Sequence, residues 1–546
     1  MAERVLIAGA GPVGLSLALG LSHHGIPSIV LEEDEGLSTQ SKALGCHART
    51  LEIFRAWGVR DRFLTAGIFL SRIAIWTPDS PEPQATLDLS SLSALTADPG
   101  ILILPQDRTE ALLLARLKEL GLAEVRFGAK LTAFTQDASG VIATVVPKEG
   151  TSYDLTGDYL LGCDGPHSTV RERLGWHLVG KTYPSRLMLA DFHLPDARND
   201  QPWPRFAALD GGLGAAIHFE PGRWRLIGIL APDETEEEAI SKAGVQRRIE
   251  ALFGPGEVEV VWASAFHIHC RTSPHFRLGR VLLAGDAAHI NSPAGGQGMN
   301  SGIMDAHNLA WKLARALHGG DTEALLTSYE AERRQEVLSV VDRYTDRLTR
   351  LLLLPGAATR ARIARALRVL IGMPSIVRRL APKAAMLDVR YEASPLISGE
   401  GPWLGARAPD GELIDRQGQS IRLLDLVSRE ATLLLFEDGR LPSWDRTAIA
   451  SLCADVPGLK VVRIVAGTCE AAPGDYRDAT GTLFRAWRAT GGDAALVRPD
   501  GHVGWRERHP TPTGLAAGVR RALGAPGPSG LTVQFAPRET GTPRLW

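Results

Sequence analysis

Cysteine is scarce in this chain of 546 residues, which contains five cysteines and no Cys-x-x-Cys pair. The five are scattered along the sequence, at Cys46, Cys163, Cys270, Cys453 and Cys469. An odd and dispersed set excludes a disulfide framework and a zinc ribbon, and it is typical of a protein from a reducing compartment. We therefore expect a cytoplasmic protein with free thiols, no metal site and no thiol redox chemistry.

An excess of charge of either sign is also missing. The formal net charge is −2, which gives no basis for non-specific attraction to nucleic acid or to a membrane surface. One stretch with a helical pattern, residues 321–395, is locally basic, but it lacks interleaved aromatic residues and favours a solvated helix face over nucleic-acid binding. Its basic residues include Arg360, Arg362, Arg365, Arg368, Arg378, Arg379 and Lys383. The expected partner is a small molecule, and a monomer and a homodimer both stay open.

Apolar runs of membrane-spanning length are absent as well. Residues 5–22 are almost continuously apolar, but glycines and a proline interrupt them, and no small-residue cleavage site follows. A secretory leader and a membrane span are both poor explanations of such a stretch. We expect a buried strand that leads into a helix.

A glycine motif joins that strand to that helix, as Gly9-x-Gly11-x-x-Gly14. A second apolar run ends at Glu32, about twenty residues after the glycines, where dinucleotide-binding folds place an acid on a ribose hydroxyl. The first glycine allows a tight turn, the second lets a pyrophosphate approach the backbone, and the third lets helix and strand pack closely. The unpaired amides at the helix N-terminus favour the phosphates. This pattern predicts dinucleotide binding.

Two later strand ends have related chemistry. Asp164 follows the apolar run 159–162, and Asp286 follows the run 281–284. A glycine-rich loop then leads from Pro293 into a helix, where backbone amides could crowd against a flat ligand. Asp164, taken alone, is weak evidence, because Asp at such a junction is often only a helix N-cap.

Three polar residues between the first glycines and these later motifs are ambiguous from sequence. Lys42 and Arg49, in a basic loop, would suit an anionic ligand, but in isolation they are better explained as solvated cations. Gln106 stands where a strand opens into a helix. It either contacts a ligand or caps that helix.

The order of strand and helix patterns predicts an α/β fold with several domains. Helical patterns mostly lapse over residues 176–275, where aromatic-rich strand runs predict an inserted antiparallel sheet. Such a sheet could wall a pocket for a planar apolar substrate, but any single aromatic residue in it is better explained as ordinary core. A Pro/Gly-rich segment before residue 403 separates a small α/β unit. The expected divisions are a discontinuous Rossmann-like domain of residues 1–175 and 276–395, with 70–104 on the substrate side, an inserted sheet domain of 176–275, a C-terminal domain of 396–522, and a tail of 523–546.

Together these motifs resemble the single-component FAD-dependent aromatic hydroxylases of the para-hydroxybenzoate hydroxylase type, and most closely the polyketide hydroxylases that have a thioredoxin-like C-terminal domain. The resemblance rests on three motifs in order, which jointly are highly specific. They are Gly9-x-Gly11-x-x-Gly14, Cys163-Asp164-Gly165-x-x-Ser168-x-x-Arg171, and Gly285-Asp286-Ala-Ala-His with Pro293-x-x-Gly296-x-Gly298-x-Asn300.

The resemblance implies an FAD site and the roles of its residues. Glu32 would bind the adenosine ribose, Asp286 the ribityl and pyrophosphate region, and Asp164 would serve both FAD and NADPH. Lys42 stands where relatives usually have arginine, which weakens any bidentate phosphate contact there. The full set of expected cofactor-binding residues is Gly9, Gly11, Pro12, Val13, Gly14, Glu32, Glu33, Lys42, Arg49, Gln106, Asp164, Asp286, Pro293, Gly296, Gly298, Met299 and Asn300.

The resemblance also implies the reaction. NADPH, or NADH, would reduce FAD, and O2 would add at flavin C4a to give a hydroperoxide that oxygenates an electron-rich ring. The cofactor would supply the chemistry, so no protein nucleophile is required, and a catalytic side chain stays unidentified. A polycyclic aromatic polyketide is the preferred substrate and a simple phenol the second choice. The alternatives are Baeyer–Villiger insertion and a flavin-binding scaffold without turnover.

Overall fold

A computed structural model describes residues 5–38, 41–75, 83, 85–194, 204–209, 212–293, 295–340, 369–370, 373–427, 430–440, 444–467 and 474–526. Cys469, the arginines from Arg360 to Arg368 and the tail beyond residue 526 lie outside the described residues. The described parts form a mixed α/β protein. Among them, no helix is long and apolar enough to cross a membrane.

The α-helices are described in chain order. They are α1 (Pro12–His23), α2 (Ala48–Ala56), α3 (Arg60–Ala66), α4 (Gln106–Leu120), α5 (Thr169–Arg173), α6 (Glu236–Ile240), α7 (Lys242–Phe253), α8 (Gly298–Leu317), α9 (Thr322–Val340), α10 (Pro374–Ala384), α11 (Leu423–Val427), α12 (Arg446–Asp455), α13 (Thr482–Trp487) and α14 (Pro512–Ala522). Two short 3-10 turns span Leu89–Leu92 and Gly285–Ala287.

The first sheet has six strands in the order β18-β19-β12-β1-β2-β8. They are β1 (Val5–Ala8), β2 (Ser28–Leu31), β8 (Ala123–Arg126), β12 (Tyr159–Gly162), β18 (Arg277–Leu278) and β19 (Val281–Leu283). All neighbours are parallel except β18, which pairs antiparallel with β19. Strands β1, β2, β12 and β19 are buried along their whole length and apolar apart from Ser28, as a parallel sheet covered by helices requires.

Helices α1 and α8 pack together beside this sheet. Gly20, on the side of α1 that faces α8, allows the two helices to approach closely. A Cβ added at Gly20 would lie 2.8 Å from the Cβ of Ala310 and 3.2 Å from the ring of Trp57. A larger residue there would separate the two helices. The close packing fixes the N-termini of α1 and α8 relative to the carboxyl ends of the strands.

Three small sheets flank this layer. Their strands are β3 (Gly45–His47), β7 (Ile101–Ile103) and β4 (Ile68–Leu70); β5 (Arg72–Ile75) and β6 (Ala85–Asp88); and β9 (Ala129–Gln136), β10 (Val141–Pro147) and β11 (Tyr153–Gly157). All of their pairings are antiparallel.

The second large sheet is antiparallel throughout, in the order β14-β15-β16-β13-β17-β20. Its strands are β13 (Val179–His193), β14 (Arg205–Leu209), β15 (Gly212–Glu220), β16 (Arg223–Ile229), β17 (Glu259–Thr272) and β20 (His289–Ile290). One face packs on α6 and α7 through a core that includes Phe192, Trp224 and Ile249. Since β20 directly follows the turn at Asp286, this sheet adjoins the edge where the first sheet's strands end.

The expected lapse of helical structure in this region is wrong for residues 236–253, which form α6 and α7. A local signal was present in the sequence Thr235-Glu-Glu-Glu238. The Thr235 hydroxyl accepts from the Glu238 amide at 3.2 Å, and the Glu238 carboxylate accepts from the Thr235 amide at 2.8 Å. This capping box is a helix-start pattern that can be read from sequence.

The C-terminal part contains a mixed sheet of eight strands, in the order β21-β28-β27-β24-β25-β26-β22-β23. Its strands are β21 (Ser398–Gly399), β22 (Glu412–Ile414), β23 (Ser420–Arg422), β24 (Thr432–Glu437), β25 (Lys460–Ala466), β26 (Asp475–Asp478), β27 (Asp493–Val497) and β28 (Val503–Arg508). The central strands β24 and β27 bury mainly apolar side chains, with Leu433, Leu435 and Leu496 among them.

Candidate cofactor site

Four parallel strands end side by side, and each is followed by one of the polar or glycine motifs. In spatial order β2 leads to Glu32, β1 to Gly9, β12 to Asp164, and β19 to Gly285 and Asp286. The chain moves from β1 to β2 on one side and later returns to β12 and β19 on the other. A crevice opens outside the carboxyl ends of an α/β sheet where the strand order reverses in this way, and ligands bind there.

The first glycine loop has one crowded side and one open side. Gly9 has φ +97°, and a Cβ there would lie 2.4 Å from the Cys163 carbonyl oxygen. A Cβ at Gly14 would lie 2.0 Å from the Gly9 carbonyl oxygen, so both positions require glycine. At Gly11, by contrast, a Cβ would have nothing within 4 Å. The open side is therefore free for a ligand.

Helix α1 presents its N-terminus to this open side. Gly11 is the N-cap, no side chain caps the helix, and Pro12 occupies its first turn, followed by Val13. Uncapped amides at a helix N-terminus, with the positive end of the helix dipole, bind phosphate groups.

The Glu32 carboxylate is fixed next to the loop. One oxygen accepts from the Ala10 amide at 2.7 Å and the other from the Asp34 amide at 3.1 Å. Each oxygen keeps a second lone pair with which it can accept a hydroxyl donor. Glu33 points elsewhere, because its carboxylate pairs with Lys130 of β9 at 2.8 Å on an exposed surface.

Asp286 lies at the far end of the same edge. Its side chain is exposed to solvent, although it lies among many protein atoms. Desolvation by the surrounding protein raises the pKa of Asp286, and the charges of His289 and Lys42 only partly offset this. Lys42 is itself exposed, and its charge acts on the Asp286 carboxyl group.

Beneath Asp286 lies a buried cluster of charges that the sequence did not reveal. One oxygen of Asp305 accepts from the Gly285 amide at 2.9 Å and contacts His289 Nε2 at 2.7 Å; the other accepts from Arg333 Nε at 2.7 Å. Burial alone would raise the pKa of Asp305, but His289 and Arg333 lower it to about 2. The anion thus holds the Gly285–Asp286 turn in place. A charged residue within the apolar pattern of α8 was the available signal.

The second glycine loop provides another uncapped helix start. Pro293 and Gly296 are exposed, and a Cβ at Gly298 would have nothing within 4 Å. No side chain caps α8, and among the described residues the buried Gln297 Oε1 has no hydrogen-bond partner. Met299 is half-buried against the main core. The open backbone and the orphaned acceptor fit a flat polar ligand at this point.

Asn300 uses its whole hydrogen-bonding capacity within the protein. Its oxygen accepts from the His47 amide at 2.9 Å and the Thr50 hydroxyl at 2.6 Å, and its nitrogen donates to the Gly45 and Gly296 carbonyls, both at 2.9 Å. The side chain therefore ties the loop before α2 to the loop before α8. A ligand here would contact the backbone around Asn300, not its amide group.

Two predicted site residues lie close to the crevice but spend their polar groups locally. Asp164 accepts from the Ser168 hydroxyl at 2.5 Å and from the Val170 amide at 3.1 Å, and so orders the start of α5. Gln106 accepts from the Ala43 amide at 3.3 Å and donates to Glu110 at 2.9 Å. Burial raises the pKa of Glu110 to about 7.

Arg49 is not brought together with the other predicted site residues. Its guanidinium donates to Glu52 at 3.0 Å and to the Asp500 carbonyl of the C-terminal sheet at 2.6 Å, and it is almost fully buried. Its place in the cofactor site remains a prediction from resemblance. No cluster of potential metal ligands occurs among the residues that the structure describes.

Comparison with known proteins agrees with this geometry. Residues 3–344 match the family model described as FAD binding domain, and residues 401–526 match the model described as aromatic-ring hydroxylase, C-terminal. A curated relative from Streptomyces rimosus subsp. rimosus, the 12-dehydrotetracycline 5-monooxygenase/anhydrotetracycline 6-monooxygenase, is 36% identical over 542 residues, which cover 96% of this chain and 99% of the relative.

Two solved structures share the whole fold. The anhydrotetracycline hydroxylase OxyS from Streptomyces rimosus has a TM-score of 0.76 and 32% identity, over 96% of this chain and 100% of its own. The aklavinone-11 hydroxylase, in a ternary complex with FAD and aklavinone, has a TM-score of 0.79 and 26% identity, over 95% of this chain and 99% of its own.

Proposed function

The chain belongs to the FAD-dependent aromatic-ring hydroxylases, and from this membership we propose that it hydroxylates a polycyclic aromatic polyketide with electrons from NADPH and an oxygen atom from O2. That it is an FAD-dependent aromatic monooxygenase follows from the family match along most of its length. The substrate, the electron donor and the roles of individual residues are the proposed part. When bound, FAD supplies the oxygen activation that no amino-acid side chain provides.

The observation that carries the proposal is the alignment of four motif-bearing strand ends with two uncapped helix N-termini. The loop Gly9–Gly14 and the start of α1, including Pro12 and Val13, would bind the pyrophosphate, and Glu32 would accept from the adenosine ribose. Asp286 and Lys42 would contact the ribityl chain and phosphates.

The ring end of the cofactor would lie at the start of α8. Backbone amides of Gly298 and Met299, with the dipole of α8 behind them, favour negative charge at that position. Pro293 and Gly296 would border it, and Asn300 would hold the surrounding loops. Such fixed donors stabilise developing charge without reorganisation.

The substrate would enter between the flavin end of this site and the antiparallel sheet. An apolar cluster of Leu44, Leu70, Ile103 and Phe219 joins β15 of that sheet to the small sheet β3-β7-β4. The guanidinium of Arg223 lies 5.3 Å from the centre of the Phe219 ring, which it helps to fix. An apolar wall of this kind suits a planar ring system. It also keeps water out of the site, and the reaction requires that exclusion.

The relatives favour a polyketide over a simple phenol. Their names specify anhydrotetracycline and aklavinone as substrates, and the matches extend over nearly the whole chain. We also propose a cytoplasmic location and a monomer or homodimer that needs no nucleic acid or membrane.

The test is NADPH oxidation by the FAD-loaded protein in the presence of candidate ring systems. We expect one polycyclic aromatic polyketide to stimulate NADPH oxidation strongly and to acquire one oxygen atom from isotopically labelled O2. The carbon skeleton of the product, determined by NMR, should be unchanged. A ring-expanded ester would instead show Baeyer–Villiger insertion. Bound FAD with no response to any aromatic compound would contradict hydroxylation.

A further inference from the structure

A tight turn between β27 and β28 leaves the C-terminal sheet and is enclosed by the rest of the protein. The Gly501 amide donates to the Arg498 carbonyl at 2.8 Å, and the Arg498 amide donates to the His502 carbonyl at 2.8 Å. Pro499 in the second position, with Gly501 at φ +76° in the fourth, is typical of a type I turn followed by a glycine bulge. Asp500, in the third position of the turn, is only 1% exposed.

The carboxylate of Asp500 binds the middle of α8. One oxygen accepts from Asn308 Nδ2 at 3.2 Å and from Trp311 Nε1 at 3.1 Å, and the other accepts from Arg498 Nε at 3.1 Å. Burial alone would raise the pKa of Asp500, but Arg498 and His502 lower it well below its ordinary value. Asp500 is therefore an anion at ordinary pH, and its charge is used to fix α8.

A second carboxylate strengthens the same junction. Glu332 of α9 accepts from both terminal nitrogens of Arg498, at 2.6 and 2.8 Å, and from Lys312 Nζ of α8 at 2.7 Å. The turn, α8 and α9 thus share one buried ionic network. In such a network, removal of one charge leaves its partners unpaired in a low-dielectric interior.

The same turn also holds the start of α2. The Asp500 carbonyl oxygen accepts from the guanidinium of Arg49, in the first turn of α2, at 2.6 Å. His47 and Thr50, on either side of Arg49, both donate to Asn300 in the first turn of α8. The starts of α2 and α8 are therefore joined to each other at Asn300 and to the C-terminal turn through Arg49, Asn308 and Trp311.

We propose that Asp500 is a positioning residue for the flavin reaction, through which the C-terminal domain sets the place of the α8 N-terminus. This rests on the proposed function, because it takes the flavin ring to lie at Gly298–Asn300. Asn308 is about 12 Å along the helix from Asn300 at 1.5 Å per residue. A rigid helix transmits a shift at Asn308 to its first turn. A misplacement of about 1 Å can cost a reaction about a hundredfold.

Asp493 offers a matched control in the same domain. It is also 1% exposed, and it pairs with Arg506 at 3.0 Å and with Thr490, so all of its contacts that the structure describes lie within the C-terminal sheet and its loops. Asp493→Asn removes a buried paired charge without altering a contact to α2 or α8. Asp500→Asn also removes a buried paired charge, but this carboxylate binds Asn308 and Trp311 of α8.

The experiment compares the two variants as FAD-loaded full chains. We measure the free energy of unfolding, the visible absorption and circular dichroism of the bound flavin, and the fraction of consumed NADPH that appears as hydroxylated product instead of hydrogen peroxide. We expect Asp500→Asn to change the flavin spectrum and to lower the product fraction by about threefold to tenfold, as a small misplacement does. Asp493→Asn should lose stability but keep the wild-type spectrum and product fraction.

Equal spectra and equal product fractions in the two variants would overturn the inference. If Asp500→Asn does not fold, Trp311→Phe serves in its place, because it removes one donor to Asp500 and keeps an aromatic ring in the core. A wild-type flavin spectrum in Trp311→Phe would overturn the inference as well. A wild-type chain that binds FAD but hydroxylates nothing would contradict the proposed function, while the flavin spectra would still decide the role of Asp500.

Discussion

The carboxyl edge of the first sheet and the junction at Asp500 are both polar regions inside the protein, but they consist of different chemical groups. The edge consists mainly of backbone: glycines, uncapped helix amides and a few fixed carboxylates. The junction consists of charged side chains that neutralise one another, with Glu332 and Arg498 completely buried. The first region leaves open space beside uncapped backbone amides, whereas in the second the carboxylates of Glu332 and Asp500 are already occupied by donors of the protein itself.

This difference indicates which region binds and which region supports. Open space at Gly11 and Gly298 and the orphaned oxygen of Gln297 fit a group that the protein chain itself does not supply. The carboxylates of Glu332 and Asp500, by contrast, are satisfied by arginine, lysine, asparagine and tryptophan donors. Substitutions should therefore separate the two regions: one set should affect the cofactor, the other the folded state.

The largest effect on folding is expected from Glu332→Gln. Removing this charge leaves Lys312 and Arg498 buried with one carboxylate fewer, and breaking a buried pair costs about 3–5 kcal/mol. The free energy of unfolding, measured in denaturant, should fall by that amount. The control is Glu119→Gln, which breaks an exposed pair with Arg62 and should have no measurable effect. Comparable losses in both variants would contradict a special role for the junction.

The same carboxylate gives the junction a pH dependence. Burial alone would raise the pKa of Glu332, but Arg498 and Lys312 lower it from 4.5 to about 2. A lowered pKa stabilises the folded state above the unfolded value, and this stabilisation is lost as pH falls toward the folded value. The difference in unfolding free energy between wild type and Glu332→Gln should therefore shrink as pH decreases from 4.5 toward 2.

An effect on the cofactor alone is expected from Gly11→Val. The position has φ −69° and nothing within 4 Å of an added Cβ, so the apoprotein should keep its stability to within about 0.5 kcal/mol. A side chain there would occupy the approach of the pyrophosphate. We expect the FAD dissociation constant to rise by about a hundredfold, or about 2.8 kcal/mol, in a fluorescence titration.

Gly14→Ala is the contrasting variant in the same loop. Its Cβ would lie 2.0 Å from the Gly9 carbonyl oxygen, so the loop itself must shift. This variant should lose both stability and FAD affinity. If Gly11→Val destabilised the apoprotein as much as Gly14→Ala, the interpretation of Gly11 as an open ligand-facing position would be wrong.

The smallest effect is expected from Glu110→Gln, next to Gln106. Burial raises the pKa of Glu110 from 4.5 to about 7. From pH 4.5 upward the unfolded chain loses the proton of Glu110, whereas the folded protein keeps it to about pH 7, so the folded state becomes less stable over this range. Relative to wild type, the variant should therefore gain stability as pH rises from 4.5 to 7 and show a constant advantage above. A pH-independent difference in unfolding free energy would contradict this assignment.

The contrast between the two regions also explains which parts of the fold and of the site the sequence alone could predict. The glycine spacing, Glu32 and the acids after β12 and β19 are short patterns whose backbone requirements are local, so the sequence predicted them and the α/β fold. The partners of Asp500 come from positions 49, 308, 311 and 498. No local pattern relates residues so far apart, and only the packing of the C-terminal sheet on α8 brings them together.

Arg49 and the helices α6 and α7 show two further reasons why the sequence alone does not predict every feature of the structure. The sequence resemblance places Arg49 with the cofactor residues, which stays a prediction. The direction of its side chain depends on Glu52 and on the carbonyl of the distant Asp500, which no local pattern indicates. In α6 and α7, strand-like composition on both sides concealed a capping box that is itself a local signal. For Arg49 the reason is long-range packing, and for α6 and α7 it is a local pattern that the neighbouring strand-like composition concealed.

The visible spectrum of the purified protein during titration with FAD tests the central claim most directly. The account predicts a yellow protein that binds FAD stoichiometrically, with a flavin spectrum that differs from that of free FAD because the ring is fixed at the start of α8. A protein that remains colourless and leaves the spectrum of added FAD unchanged would contradict the cofactor site, and with it the proposed hydroxylation.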